Sequence, residues 1–269
     1  MNTHHTPELR AWLALAFTPS LNAYRLRLLL DIYSSPTEIQ RSDRASLLAH
    51  GLSENSVHQL LNPDWMTVDR HIQWLEQSPQ HHIVLLPDDG YPALLRQIDD
   101  PPLALFVRGQ VNCLTNPQIA VVGSRSPSYA GRDNAFAFAQ SLAEAGLTIT
   151  SGLAMGIDGA GHRGAIAANA PTIAVFGTGI DTIYPPQHHD LAEAITELGA
   201  LVSELPLGAT PLRMQFPRRN RIVSGMSMGT LVVEATTRSG SLITARLAAE
   251  QGRDVFAIPG SIHSPTAQG

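Results

Sequence analysis

Arg213, Arg218, Arg219 and Arg221 fall within a stretch, Leu205 to Val233, that contains no acidic residue. A guanidinium is planar and always charged, and its parallel donors match a phosphate or stack on a base. The sequence contains no lysine, so arginine composition explains that absence, but it does not explain the clustering. Phe216 and Asn220 belong to the same run. A ring exposed there would stack on a nucleobase, worth about 1–3 kcal/mol per base; packing into the core is the equal alternative for Phe216. The chemistry that suits this set is the holding of a nucleic-acid strand.

Four short segments rich in Gly and Ser could supply neutral donors. They are Gly123-Ser124-Arg125, Ser151-Gly152 running on to Gly156-Ile157-Asp158, Gly177-Thr178-Gly179-Ile180-Asp181, and Ser239-Gly240-Ser241-Leu242. Small residues let backbone N–H groups and a helix N-terminus face a phosphate directly. Arg125, Arg219 and Arg221 are expected to contact phosphates beside them. Asp158, Asp181 and Glu234 stand at the same loops. Helix capping or arginine pairing is the expected role of Asp158 and Asp181, and no residue is assigned as catalytic.

Several other patterns fail on context. Gly159 to Gly164 spells GxGxxG but lies inside a helical stretch rather than at a strand-to-helix turn. Gly177-Thr178-Gly179 follows a strand, yet Thr182 stands at the third glycine's place, which argues against a nicotinamide cofactor. Gly225 to Gly229 spells GxSxG but leads into a strand, whereas a nucleophile elbow leads out of one. A Walker loop requires the missing lysine. The doublets His4-His5, His81-His82 and His188-His189 lack partner ligands, so neither metal nor cofactor is expected.

The elements that must position these residues are legible from Gln118 onward. Apolar runs at Ile119–Val122, Leu147–Thr150, Thr172–Phe176, Leu201–Val202, Thr230–Val233 and Asp254–Ile258 read as strands. Helical stretches at Asp133–Ala145, Gly156–Ala168, His188–Leu198 and Leu242–Glu250 lie between most of them. That alternation implies a parallel sheet covered on both faces, with ligands outside the carboxyl ends of its strands. Residues 79–117 carry two further strand-like runs, Ile83–Leu86 and Leu105–Val107, and read as a connector docking on the main domain. Residues 1–78 read as a small domain of short helices, and residues 118–269 as the binding domain.

Net charge is −5, so any surface for a polyanion must be local. No apolar run approaches the roughly 18 residues of a membrane span, and Met1 to Arg10 lack a signal-peptide pattern. Cys113 is the sole cysteine, which excludes an intramolecular disulfide and leaves a cytoplasmic location as the default.

Together the loops resemble the DNA-processing protein A family (DprA, also called Smf). Further matches are Tyr184-Pro185, Phe216-Pro217-Arg218-Arg219-Asn220-Arg221-Ile222, Val233-Glu234-Ala235 and Val255-Phe256-Ala257-Ile258-Pro259-Gly260, and the likeness runs from about 83 to 263. The resemblance implies an α/β fold, an extended Rossmann-like parallel sheet flanked by helices, with a small N-terminal helical domain of SAM or helix-hairpin-helix kind. It implies single-stranded DNA binding, homodimerisation, and loading of a RecA-type recombinase during natural transformation. Met155 stands where many members carry arginine, Gly161 replaces the more usual alanine, and the sequence ends where many members continue into a winged-helix domain. An alternative is a nucleotide phosphoribohydrolase of related fold, suggested by Gly229-Thr230 with Glu234, although the fuller PGGxGTxxE signature is absent.

Overall fold

The structure, a computed structural model, describes residues 7–237, 239–260 and 269. Six helices come first: α1 (Pro7–Ala16), α2 (Ala23–Tyr33), α3 (Pro36–Arg41), α4 (Arg44–Ala49), α5 (Glu54–Leu61) and α6 (Trp65–Glu76). They are short because the chain keeps restarting them. Asn22, Ser35, Asp43, Ser53 and Asp64 each accept the backbone N–H three residues on, which caps α2 to α6 in turn.

The remaining elements are β1 (His81–Leu85), α7 (Ala93–Arg96), β2 (Ala104–Gly109), β3 (Gln118–Val122), α8 (Tyr129–Glu144), β4 (Thr148–Ser151), α9 (Ile157–Ala167), β5 (Thr172–Val175), α10 (His189–Leu198), β6 (Ala200–Ser203), α11 (Gln215–Met226), β7 (Gly229–Val232), α12 (Ser241–Glu250) and β8 (Asp254–Ala257). All eight strands join one sheet in the order β1-β2-β6-β5-β4-β3-β7-β8. The six strands from β3 to β8 pair in parallel. β1 and β2 extend the β6 edge antiparallel, so the segment read as a connector lengthens the sheet itself.

Alternate residues divide the core between the two faces of the sheet. Val121 and Ile149 pack with Ala135, Ala139, Ile157 and Ala160 of α8 and α9. Val122, Ile173 and Val175 pack on the other side with Leu95 of α7 and Ile222, Val223 and Met226 of α11. The small helices share a third cluster with α10 and the sheet, through Leu9, Leu13, Phe106 and Ile195. His71 of α6 fastens this layer: its Nε2 accepts the Leu207 N–H at 2.9 Å while its Nδ1–H donates to the Thr67 carbonyl at 2.7 Å.

The chain builds β3 to β6 in one direction, then crosses back through α11 to place β7 on the far side of β3. Strand order therefore reverses between β3 and β7, and the loops leaving those two strands diverge. A crevice at the carboxyl ends of the strands is the geometric consequence.

Helix α11 is the long element absent from the sequence reading, which also lacked the short helix α7. Pro217 sits in its first turn, where the missing N–H costs no helix bond. Arg219, Ile222, Val223 and Met226 recur at i, i+3, i+4 and i+7 and are all buried against the sheet.

Candidate nucleic-acid interface

An open cleft of about 640 Å³ occupies that crevice. The loop after β3 supplies Gly123, Ser124, Arg125 and Ser126, and the loop after β4 supplies Gly152, Ala154 and Asp158. The segment after β7 supplies Thr236, Ser239, Gly240 and Ser241. Helix α11 and its approach close the remaining side with Arg213, Phe216, Arg219 and Asn220. Among the described residues, the charged groups lining it are Arg125, Arg213 and Arg219 against the single carboxylate of Asp158. A chain of net charge −5 thus carries a local surplus of positive charge.

The Arg219 guanidinium forms the floor. It is buried, and Nη1 donates to the carbonyl of Gly152 at 2.8 Å and, at very short range, to that of Val175. Burial lowers its pKa to about 10, opposed by the nearby Asp158 carboxylate, so it stays charged at neutral pH. Asp158 accepts the N–H groups of Gly152 at 3.1 Å and Ala154 at 3.2 Å. Desolvation raises its pKa, against the pull of Arg219 and those amides. The pair is a brace beneath the cleft.

Arg125 contrasts with this buried pair: it is exposed, and its guanidinium carbon lies 5.8 Å from the centroid of the Phe216 ring. Tyr184 also lies against that ring, centroids 5.5 Å apart and tilted by 45°. Phe216 is half-buried, so the ring is partly packed inward and partly lines the cleft. Asn220 donates to the Gly240 carbonyl at 3.3 Å, tying α11 to the segment after β7, where Ser239 and Ser241 share a hydrogen bond at 2.6 Å.

The glycines act differently from the expectation that they admit a phosphate. A Cβ at Gly152 would overlap the Arg219 guanidinium, and one at Gly177 would stand 2.9 Å from Cδ1 of Phe216. These two positions make room for the functional side chains rather than for the ligand. The loop amides are also largely spoken for: Gly152 and Ala154 donate to Asp158, and Ser124 donates to the Glu234 carbonyl at 2.7 Å. Ser151 is buried with its hydroxyl on the Val121 carbonyl, and Gly177 and Gly179 are buried behind the cleft lining.

Arg218 and Arg221 do not reach this cleft. They line a second cavity of about 320 Å³ with Asp64, Asp100 and Glu204, bounded by the first helices. Arg221 makes a close ion pair with Glu204, and its Nε lies 3.5 Å from Asp100; Arg218 lies 3.5 Å from Glu204. Consecutive helical residues point about 100° apart, so a basic run on a helix cannot converge on one strand. Arg213, Tyr184 and Ser126 are among the lining residues the sequence reading left out of the site. Arg213 belonged to the acid-free stretch and carried a signal; Tyr184 had none beyond its family motif.

Glu234 is engaged elsewhere. Its carboxylate accepts the Ser128 hydroxyl at 2.7 Å and the Ser128 N–H at 3.1 Å, at the N-terminus of α8. Asp181 accepts the Gly208 N–H at 2.9 Å, bracing two loops. Among the described residues no helix is long and apolar enough to cross a membrane.

The family described as DNA recombination-mediator protein A matches residues 82–269. Protein Smf of Escherichia coli (strain K12) is 48% identical over 228 residues, covering 84% of this chain and 61% of that protein. DNA processing protein DprA of Streptococcus pneumoniae (strain ATCC BAA-255 / R6) is 48% identical over 175 residues, covering 65% of this chain and 62% of that one. The chain therefore spans about three-fifths of the length of these relatives. The X-ray structure of DprA from Streptococcus pneumoniae superimposes with a TM-score of 0.82 at 35% identity, covering 96% of this chain and 89% of that one. The structure describing the single-stranded DNA binding mode of DNA processing protein A from Helicobacter pylori gives a TM-score of 0.64 at 28% identity, covering 70% and 85%.

Proposed function

The chain belongs to the DNA recombination-mediator protein A family, and on that premise we propose that its crevice between β3 and β7 holds single-stranded DNA. The observation that carries this reading is the Arg125–Phe216–Tyr184 arrangement over the Arg219 floor. Phosphates meet Arg125 and Arg213, bases stack on the exposed side of Phe216, and the Ser239 and Ser241 hydroxyls and Asn220 add neutral contacts. The floor charge of Arg219 acts through the cleft's potential, since its Nη1 is committed to two carbonyls and its Nε to the Asn220 side-chain oxygen. Arg218 and Arg221 keep α11 in place rather than touching the strand.

A binding role suits the acidic side chains better than a catalytic one. Glu234 and Asp158 are spent on helix and loop amides, which weakens the phosphoribohydrolase alternative. In the fuller reading, the helical residues 1–78 buttress the sheet, residues 79–117 extend it, and residues 118–269 hold the strand. The protein acts as a homodimer in the cytoplasm, delivering the strand to a RecA-type recombinase during natural transformation. The naming of its relatives as DNA-processing proteins supports that course.

The test is oligonucleotide binding across a salt series. Log affinity falls with log salt, and Arg125→Ala flattens the slope by about 0.7, the share of one phosphate on a single strand. Phe216→Ala weakens single strands by about 1–3 kcal/mol and closes the gap to duplex. Unchanged affinity in both variants refutes the assignment.

A further inference from the structure

We propose that the groove between α8 and α9 is a second subsite for the same single strand, taking the part that runs out of the main cleft past the Arg125 loop. This rests on the reading of the main cleft as a single-stranded DNA site. The groove has a volume of about 360 Å³ and is lined by Arg132, Asp133, Phe136, Met155, Arg163 and His188, with Gly156 and Ala160 between them.

Three observations point to a strand. First, Arg132 and Arg163 are both exposed, and neither makes an ion pair or side-chain hydrogen bond among the described residues, although Asp133 lies on the same rim. Two guanidinium groups against one exposed carboxylate leave a net positive charge. Second, apolar groups interleave with them. Tyr129, Arg132, Asp133 and Phe136 recur at i, i+3, i+4 and i+7 and so share one face of α8. Tyr129 is 88% exposed, Phe136 36% and Met155 43%. Alternating cation and ring is the pattern that tracks a phosphate backbone while offering faces to its bases. Third, the groove adjoins the cleft through a single thickness of backbone. The Ile157 N–H donates to the Ser124 carbonyl at 3.1 Å, and a Cβ at Gly156 would stand 2.7 Å from Cδ of Pro127 and 2.8 Å from the carbonyl carbon of Arg125. Gly156, which lines the groove, thus packs directly on the loop that carries Arg125, and a strand that leaves Arg125 over Met155 enters the groove.

The test separates the two sites by strand length. Binding of fluorescent oligothymidylates of about 5 and about 25 nucleotides is measured by anisotropy, the shorter within the reach of one binding module. The Arg132→Ala/Arg163→Ala double variant removes exposed, unpaired side chains, and its unfolding midpoint stays that of the parent. It is expected to weaken the long strand about tenfold while leaving the short one unchanged, and to flatten the salt slope for the long strand alone by about 1.4, two phosphates' share. Equal loss on both lengths, or no loss on either, overturns the subsite; no loss on either leaves the groove to a different partner, such as an acidic protein surface. In the same assay Arg125→Ala weakens both lengths. If it weakens neither, the main-cleft reading itself has failed, whatever the double variant does.

Discussion

Arg219 and Arg221 are two residues apart in sequence and end in different clefts, one on each side of α11. Around Arg219, among the described residues, three guanidinium groups meet the single carboxylate of Asp158. Around Arg221 and Arg218, the carboxylates of Asp64, Asp100 and Glu204 face two guanidinium groups. The first cleft holds a surplus that a polyanion can neutralise. The second is neutralised from within, and Arg221 is nearly closed off from water, its side chain 11% exposed beside Glu204 at 9%. The difference shows that the helical period, and not the count of basic residues along the chain, decides where positive potential accumulates. It also shows two uses of one residue type, since a buried arginine with carboxylates holds an element in place while an exposed one with a ring can take a ligand.

The sharpest way to break the comparison is Arg221→Ala. It leaves the buried Glu204 carboxylate with only the exposed Arg218 3.5 Å away. Removing one partner of a buried pair costs about 3–5 kcal/mol, and the remaining arginine sets the expectation near the lower figure. Urea unfolding reads it directly. An unmoved midpoint means that this pair does not fix α11.

A smaller, graded effect comes from pH and acts through buried rings beneath the surface. His71 clamps the helical layer to Leu207, and burial holds its pKa below 6.5. His162 is buried with its Nδ1–H on the Thr172 hydroxyl, and burial takes its pKa down to about 3. Both rings are neutral when folded and gain a proton more readily when unfolded. The unfolded chain therefore binds more protons below pH 6.5, and stability falls as pH drops through that value towards 3. The slope is at most about 1.4 kcal/mol per pH unit for each proton. Denaturant midpoints between pH 7 and 5 measure it, and His71→Gln should flatten part of the slope. A midpoint constant over that range contradicts the buried neutral rings.

Much of this architecture was legible in the sequence, for reasons that particular residues make plain. Continuous apolar runs such as Ile119–Val122 become strands, buried except for the exposed edge strand β8, and each of the six lies within a residue or two of its expected place. The loops after β3, β4 and β7 meet because strand order reverses there, and their Gly and Ser content announced them. Helix α11 stayed hidden because its buried stripe includes an arginine and its first turn a proline, both of which dilute the apolar signal. With that helix unseen, Arg219 and Arg221 looked like neighbours in space. The duty of Gly152 and Gly177 was equally out of reach. The side chains they accommodate, Arg219 and Phe216, come from 67 and 39 positions further along the chain. Only long-range packing brings them together.

The smallest expected effect sharpens the comparison most. Arg218→Ala removes a side chain that is 62% exposed and 3.5 Å from Glu204, an arrangement that contributes well under about 1 kcal/mol to stability. Its neighbour in sequence lies under the strand, yet Arg218 points into the other cleft, so affinity for single-stranded DNA should stay within about twofold at physiological salt. Arg218 still lies on the same molecule as the strand, and at low salt its charge acts over a longer distance, so a modest loss confined to low salt fits a remote field. A loss at physiological salt equal to that of Arg125→Ala would mean that the strand crosses α11 and reaches both sides of it. In that event the internal neutralisation by Asp100 and Glu204 gives way on binding, and the two clefts form one surface in the complex.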